Sequence, residues 1–280
     1  MHNTRANVSL APTYTLGQHM IAIYDSGIGG ASVLLALRSL APDVDIIYLA
    51  DQAHVPYGDR TQADIRAIAL DCATWLVAQG AVPIVVACNT ASAAALGAMR
   101  ERYPDTPFVG MVPAVKPAAQ QSDSGVIGVM ATAATLQGQL LADVTLAHAQ
   151  HHTVVGQACH GLVEFVEAGD VDSPALHQCV AAHVAPMLAA GADVLVLGCT
   201  HYPFIRAAIA KAAPGVTIID PAPAVAQQAL RAARSQGALL VEHGRTDYYT
   251  TGDAAHLRWQ IDVLGLPPGT VRATGLEAHV

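Results

Sequence analysis

An apolar run in the second half of the chain reads Gly191-Ala192-Asp193-Val194-Leu195-Val196-Leu197-Gly198-Cys199-Thr200-His201. A run that begins at Gly-Ala and ends at small and polar residues predicts a buried parallel strand whose carboxyl end presents Cys199, Thr200 and His201. The first half carries a second such run, Gly80-Ala81-Val82-Pro83-Ile84-Val85-Val86-Ala87-Cys88-Asn89-Thr90. In both runs the glycine stands eight residues before the cysteine. The pattern indicates one supersecondary unit that occurs twice.

The order of apolar runs and helical segments predicts an α/β fold. We expect two similar domains, each a mainly parallel sheet flanked by helices, pseudo-symmetric about an interdomain cleft. Residues 21–112 with 222–280 would form the first domain, and residues 113–221 the second. Residues 1–20 are expected to be a disordered N-terminal extension, because they lack the charged-then-apolar order of a targeting signal. Since ligands bind beyond the carboxyl ends of parallel strands, each wall of the cleft would carry one cysteine.

The composition excludes several classes of partner. The formal net charge of −8 at pH 7 argues against a nucleic acid or an anionic membrane surface, since both require a basic face. The apolar runs are of strand length and are interrupted by Gly, Pro or charge, so no membrane-spanning helix is expected. The five cysteines are widely spaced and odd in number, which predicts free thiols in a reducing cytoplasm.

A glycine-rich turn, Asp25-Ser26-Gly27-Ile28-Gly29-Gly30, separates a predicted strand from a predicted helix at Ala31–Leu40. Such a turn either brings backbone N–H groups to a small anion or consists of packing glycines. Its spacing does not match the dinucleotide-binding fingerprint. Asp25 at this strand end and His201 at another are candidates to take or hold protons beside the two sulfurs. For His201, a hydrogen-bonded structural role is the alternative.

Two cysteines at equivalent strand ends are compatible with a disulfide, a metal site, a nucleophile with a spare thiol, or two acid/base groups on opposite faces of one ligand. Neither Cys88 nor Cys199 has a CxxC partner, so a zinc site is not expected there. No metal is expected elsewhere, because His148, His151 and His152 lack a ligand period. A disulfide is disfavoured in the cytoplasm, and a single nucleophile leaves the second thiol unexplained. Two thiols facing a planar carbanion would remove a proton on one face and return one on the other, which inverts the stereocentre.

Four motifs occur in order along the chain: Asp25-Ser26-Gly27 with Gly29-Gly30, then Pro56-Tyr57-Gly58, Cys88-Asn89-Thr90-Ala91-Ser92, and Gly198-Cys199-Thr200-His201-Tyr202-Pro203. Together they resemble the cofactor-independent glutamate racemases of the aspartate/glutamate racemase superfamily. The resemblance implies that Cys88 and Cys199 are the two catalytic acid/bases. Cys88 would deprotonate the D-isomer and Cys199 the L-isomer.

The resemblance also implies roles for neighbouring residues. Asp25 would assist Cys88, while Glu167 and His201 would assist Cys199. The substrate would be bound by Asp25, Ser26, Tyr57, Gly58, Asn89, Thr90, Thr200 and His201.

Two local differences among sequences of this kind bear on the assignment. After Cys159 the family usually has proline, and here His160 stands in that position, so Glu164 remains the alternative to Glu167. In aspartate racemases of the superfamily a Thr-Glu pair usually follows the second cysteine. Thr200-His201 therefore favours glutamate over aspartate.

The resemblance implies a cytoplasmic isomerase that interconverts L- and D-glutamate and supplies D-glutamate for peptidoglycan synthesis. It implies no cofactor, and the chain contains only two lysines, Lys116 and Lys211, neither of them in a phosphate-binding loop. A homodimer is expected, since dimers are common in the family. One alternative is a racemase of the same superfamily that acts on aspartate or another amino-acid derivative. The other is a non-catalytic amino-acid-binding protein that uses the same cleft.

Overall fold

The computed structural model of the protein describes residues 18–237, 239–240 and 243–276. Within these residues, twelve strands form three parallel sheets of six, four and two strands. The strands are β1 (Gln18–His19), β2 (Ile21–Asp25), β3 (Ile46–Ala50), β4 (Ile84–Val86), β5 (Phe108–Gly110), β6 (Val126–Ala131), β7 (Thr153–Ala158), β8 (Val194–Gly198), β9 (Thr217–Ile219), β10 (Leu239–Leu240), β11 (Thr246–Thr250) and β12 (Thr270–Ala273). The helices are α1 (Ala31–Leu40), α2 (Gln62–Ala78), α3 (Asn89–Arg102), α4 (Val115–Gln121), α5 (Ala133–Leu136), α6 (Gln139–His148), α7 (Leu162–Glu167), α8 (Pro174–Ala189), a 3-10 turn (Tyr202–Ile205), α9 (Arg206–Ala212), α10 (Ala222–Ser235) and α11 (Ala254–Val263).

The two large sheets confirm the predicted fold class. The six-stranded sheet has the order β12-β11-β3-β2-β4-β5, and the four-stranded sheet has the order β7-β6-β8-β9. All neighbouring strands are parallel, and helices connect them. The C-terminal strand β11 pairs with β3, so the end of the chain returns to the first sheet as expected. The domain boundaries themselves stay a prediction.

The predicted disordered extension needs a correction at its end. Residues 1–17 lie outside the described part of the chain. Gln18–His19 form β1, which pairs with β10, and Met20 is buried in the core beside α2. Backbone pairing and apolar burial therefore order residues 18–20, and the prediction of disorder was wrong for them.

The central strands are buried along their whole length. Every residue of β2, β3, β4 and β8 is buried, as expected for parallel strands that helices cover on both faces. Cys88 stands two residues after the end of β4, and Cys199 directly follows β8. Both strands are internal to their sheets, so both cysteines lie at a carboxyl edge between neighbouring strands.

Several elements have no counterpart in the sequence-based prediction. They are the short α4, α11 and β12. After Cys199 the chain first forms the 3-10 turn, with Pro203 in its first turn, before α9 starts. No helix in the described ranges has both the length and the apolar composition needed to cross a bilayer.

Candidate active site

Cys88 and Cys199 line one cavity, here called the cleft, whose walls come from both large sheets. Both cysteines are buried. The other predicted residues that line the cleft are Ser26, Tyr57, Gly58, Asn89, Thr90, Thr200 and His201.

The Cys88 sulfur caps the helix that follows it. Its Sγ accepts a hydrogen bond from the backbone N–H of Ala91 at 3.4 Å and lies 3.7 Å from Ser26 Oγ. A helix N-terminus favours a thiolate, but burial outweighs that effect here. Burial, followed by the charge of Asp25, raises the pKa of Cys88 to about 12. Cys88 is therefore a neutral thiol near neutral pH.

Cys199, His201 and Glu167 form a row of contacts. His201 Nδ1 lies 3.6 Å from Cys199 Sγ, and His201 Nε2 lies 2.7 Å from Glu167 Oε1. Burial opposes a charge on the imidazole, yet the contacts with Cys199 and Glu167 raise the pKa of His201 well above its ordinary value. The imidazole is therefore protonated near neutral pH, and its charge stabilises negative charge on the neighbouring sulfur.

Glu167 is held by donors from three separate segments. Besides its contact with His201, its Oε1 accepts from the N–H of Ile28 at 2.8 Å, and its Oε2 accepts from Gln260 Nε2 at 2.8 Å. Burial alone would raise the pKa of this carboxyl, but the hydrogen bonds lower it. Glu164, the alternative from the sequence, is an exposed residue of α7 at the wall of the cleft. Of the two carboxylates, the structure brings Glu167 to the imidazole.

The glycine-rich turn has small residues because other side chains pack against it. A side chain at Gly27 would overlap Glu167, and one at Gly29 would overlap His201. The N–H of Gly27 donates to Asp25 Oδ2 at 3.1 Å. The turn therefore matches the packing interpretation, and its N–H groups at residues 27 and 28 bind carboxylates of the protein itself.

Asp25 is fully buried and lies behind the cleft wall. The Thr200 hydroxyl donates to its Oδ1 at 3.1 Å, and Gly27 donates to its Oδ2. Burial raises the pKa of Asp25 to about 6, although the charge of His201 acts to lower it. The carboxyl therefore titrates close to physiological pH, as acid/base groups of active sites commonly do. It contacts the Thr200 side of the cleft and acts on Cys88 through its charge.

Asn89 places an unsatisfied amide in the cleft wall. The residue is the first of α3 and is 3% exposed, and neither Oδ1 nor Nδ2 has a hydrogen-bond partner among the described residues. A buried amide without a partner costs about 1–3 kcal/mol. Such a group calls for an explanation in a native structure, and a ligand that completes its hydrogen bonds supplies one.

Three threonine hydroxyls join the two sides of the cleft. Thr90 Oγ1 lies 2.9 Å from Thr132 Oγ1 and 3.1 Å from Thr135 Oγ1, and Thr132 donates to Thr135 at 2.9 Å. The sequence predicts Thr132 and Thr135 as capping hydroxyls. Thr132 does cap α5 by accepting the N–H of Thr135 at 3.2 Å, but it also lines the cleft, whereas Thr135 lies inside the helix. Thr132 is thus a cleft residue that the sequence reasoning missed.

Two further supports of the site were not predicted. Gln260 of α11 contacts Glu167 and also accepts a hydrogen bond from Gln52 Nε2 at 2.6 Å. The Tyr57 hydroxyl donates to Asp51 Oδ2 at 2.5 Å and lies 2.7 Å from the Tyr24 hydroxyl. Asp51 follows β3 directly, and this strand-end position is a sequence feature that could have identified it.

Among the described residues, no lysine or arginine lines the cleft. The Nε of Arg60 donates to the backbone oxygen of His54 at 2.7 Å.

In the part of the chain that the structure describes, no group of three or more His, Cys, Asp or Glu side chains is placed to hold a metal ion. His151 and His152 lie in a turn.

Sequence comparison relates the chain to racemases. A family model described as Asp/Glu/Hydantoin racemase matches residues 31–229. A glutamate racemase from a Roseiflexus species is 49% identical over 251 residues, which cover 88% of this chain and 92% of the relative. A glutamate racemase from Pseudomonas putida is 46% identical over 257 residues, which cover 90% of this chain and 96% of the relative.

Structural comparison leads to the same group of proteins. Glutamate racemase from Thermus thermophilus, solved in complex with beta-chloro-D-alanine, has a TM-score of 0.79 at 35% identity, and the match covers 93% of this chain and 98% of that one. Glutamate racemase from Francisella tularensis, solved in complex with D-glutamate, has a TM-score of 0.82 at 27% identity, with 94% and 100% covered. On the family match, the level of identity and the shared fold, the chain belongs to the Asp/Glu/hydantoin racemase family.

Proposed function

We propose that the protein interconverts L- and D-glutamate by two-base proton transfer at Cα, with Cys88 and Cys199 as the two bases. One observation carries the proposal: strand ends from the two large sheets bring both thiols to the lining of one cleft. The naming of its relatives as glutamate racemases supports the choice of substrate.

In the L-to-D direction, Cys199 is the base. The protonated His201 lies 3.6 Å from its sulfur and stabilises the thiolate, while Glu167 holds the imidazole in place. The thiolate takes the α-proton of L-glutamate, and the neutral thiol of Cys88 gives its proton to the opposite face of the carbanion. One C–H bond breaks and another forms, and the two sulfurs exchange protonation states.

In the D-to-L direction, Cys88 is the base and must start as a thiolate. Its pKa of about 12 makes this form costly near neutral pH. Asp25, with a pKa of about 6, is the carboxyl whose charge acts on this sulfur. We therefore assign Asp25 to the Cys88 side, where its carboxylate takes up the thiol proton as the thiolate forms and so loses the charge that disfavours that thiolate.

Neutral groups of the cleft bind the substrate carboxylates and ammonium group. The unsatisfied amide of Asn89 supplies one donor and one acceptor. Hydroxyls and backbone N–H groups at the strand-to-helix turns supply further donors, without a lysine or arginine in the described cleft lining. The neutral residues assigned to binding are Ser26, Tyr57, Gly58, Asn89, Thr90 and Thr200, together with Thr132. Two ionisable residues are also assigned to binding, His201 in the cleft lining and Asp25 behind it through its hydrogen bond from Thr200.

Racemisation in deuterium oxide tests the two-base mechanism. The thiol that returns a proton has exchanged with solvent beforehand, so the newly formed enantiomer should carry deuterium from the first turnover. Unconverted substrate should keep its protium at early times. Mass spectrometry of the separated enantiomers makes the measurement, and appreciable protium in early product would contradict the proposal.

The substrate is tested by circular dichroism of L-glutamate and L-aspartate solutions, with a chelator and without added cofactor. We expect racemisation of glutamate. Racemisation of aspartate alone would favour the related racemase, and calorimetric glutamate binding without racemisation would favour a binding protein.

We further propose a cytoplasmic, cofactor-independent homodimer that supplies D-glutamate for peptidoglycan synthesis. The similarity to glutamate racemases supports this proposal. Growth of a bacterial strain that requires D-glutamate, after expression of this chain, tests the biological role. Light scattering on the purified protein tests the dimer.

A further inference from the structure

A second cavity lies outside the cleft, beside the loop that follows β3. Its volume is about 410 Å³, within the range of about 300–1,000 Å³ that small-molecule sites occupy. Residues of α2 form one wall, and residues at the ends of β3 and β11 form another. The two cavities share no lining residue among those described.

The lining of this second cavity combines apolar and acidic groups. Trp75 and Ile68 provide apolar surface, and Asp51 and Asp71 provide negative charge. Within the described lining there is no lysine or arginine. This chemistry disfavours anions such as glutamate and favours a cation with a flat apolar part, which an indole ring attracts.

His54 supplies an open hydrogen-bonding position in the same lining. It is 5% exposed, and its Nδ1 lies 2.9 Å from both carboxylate oxygens of Asp51, so Nδ1 is the donor nitrogen. Its Nε2 is buried and has no partner among the described residues. In the neutral imidazole, Nε2 is a hydrogen-bond acceptor. A small adjustment of the cavity wall would allow a ligand N–H group to donate a hydrogen bond to Nε2.

The same carboxylate connects this cavity to the cleft. Asp51 Oδ2 accepts from the hydroxyl of Tyr57 at 2.5 Å, and Tyr57 lines the cleft. Asp51 Oδ1 accepts from Thr251 at 2.6 Å, and the backbone oxygen of His54 accepts from Arg60 Nε at 2.7 Å. His54 is thus bonded through its side chain to Asp51 and through its backbone to Arg60, on the two sides of Tyr57 along the chain.

We propose that this cavity binds a small planar nitrogen cation, whose N–H group donates to His54 Nε2 and whose ring packs against Trp75, and that its occupation changes glutamate affinity through Asp51 and Tyr57. Binding of the cation does not depend on the proposed racemase reaction. The effect on glutamate affinity rests on that proposed function.

Benzamidine is a suitable probe, because it joins a planar amidinium to an aromatic ring. The chain has two tryptophans, Trp75 and Trp259. Their indole N–H resonances are observed by NMR, and the spectrum of Trp259→Phe shows which resonance belongs to Trp75. We expect the Trp75 resonance to shift with increasing benzamidine until binding is saturated, while the Trp259 resonance stays in place. The same shift should occur in the presence of saturating D-glutamate. The KM for glutamate should change at least about twofold when the cavity is filled.

Matched variants on α2 test the location. Thr74 is exposed and lines the cavity, whereas Ala67 is exposed on the same helix outside the lining. Thr74→Arg should weaken benzamidine binding at least about tenfold by charge repulsion, and Ala67→Arg should not. His54→Phe should also weaken it.

Three results would overturn the site: no shift of the Trp75 resonance, displacement of benzamidine by glutamate, or equal affinity in Thr74→Arg and Ala67→Arg. A normal shift with unchanged KM would overturn the coupling to the cleft.

Discussion

Glu167 Oε1 lies 2.7 Å from Nε2 of His201, in a contact that leaves the two side chains 13% and 2% exposed. The pair joins the end of α7 to the loop after β8 and places the other ring nitrogen 3.6 Å from the Cys199 sulfur. The contact with Glu167 is among the causes of the raised pKa of His201. The charge beside Cys199 therefore depends on a carboxylate that is distant along the chain.

Glu167→Gln should narrow the pH range of activity toward L-glutamate. The folded-state pKa of His201 is raised, so its imidazolium stabilises the Cys199 thiolate fully at pH values below the ordinary histidine pKa. This stabilisation is lost as the pH rises through the raised pKa. The substitution lowers that pKa, so the alkaline limb of kcat/KM should move to lower pH. Near neutral pH, kcat should fall by about 100-fold. Initial rates across the pH range measure both effects.

The matched control is Glu164→Gln, because Glu164 is exposed on the same helix. It should keep the alkaline limb of the parent protein. If Glu167→Gln kept it as well, Glu167 would not set the charge of His201.

Gln260→Leu should reduce both stability and activity. It removes the donor to Glu167 Oε2 and to the backbone oxygen of Glu167, which leaves buried acceptors unsatisfied. We expect a loss of about 1–3 kcal/mol in the free energy of unfolding, measured by urea denaturation. Activity toward L-glutamate should fall several-fold. The control is Gln236→Leu at an exposed position, which should change neither the free energy of unfolding nor the activity. Normal stability in Gln260→Leu would show that Glu167 is held without Gln260.

Asn89→Leu should weaken substrate binding without destabilising the protein. It removes a buried amide that has no partner among the described residues, so the free energy of unfolding should stay equal or rise. The KM for both enantiomers should increase by about tenfold or more, because the substrate loses a charge-assisted hydrogen bond. Steady-state kinetics and urea denaturation on the same preparation separate the two effects.

Ser92→Ala should give the opposite result and serves as the comparison. The Ser92 hydroxyl donates to the oxygen of Val86 at 2.9 Å and accepts from the N–H of Met111 at 3.0 Å. Its removal should cost about 1–3 kcal/mol of stability with KM unchanged. A large stability loss in Asn89→Leu would mean that the amide has a structural role.

Asp25→Asn and His201→Asn should affect the two directions differently. Asp25→Asn should lower kcat more for D-glutamate, and His201→Asn more for L-glutamate, since each residue is assigned to one thiol. The reaction equilibrium cannot change, so KM must change in parallel with kcat. Initial rates with each enantiomer measure the asymmetry, and equal losses in both directions would contradict the assignment of sides.

Arg60→Ala should have a small effect on substrate binding. Its guanidinium is bonded to the backbone oxygen of His54, and Arg60 does not line the cleft. Ser26→Ala and Thr200→Ala should each raise the KM for glutamate more than Arg60→Ala does, because they remove neutral polar groups from the cleft itself. The reverse order would show that a cation, and not neutral donors, holds the carboxylates.

Local pattern was sufficient for much of the fold. The apolar runs predict β4 and β8 because buried parallel strands need continuous apolar residues, and α1 has the bounds that the sequence indicates. The elements that were missed, such as α4 and β12, are only seven and four residues long. Such segments carry little periodicity, so tertiary contacts decide their conformation.

By itself, the sequence determined the duplicated strand with its terminal cysteine, the α/β class and about half of the described residues that line the cleft. Those properties depend on residues adjacent in the chain. Only the tertiary structure decided that the Asp25 carboxylate bonds to Thr200, that Gln260 holds Glu167, and that Cys88 is buried deeply enough to stay a thiol. Protonation and hydrogen bonding depend on burial and on partners far apart in sequence, and packing brings these together in space.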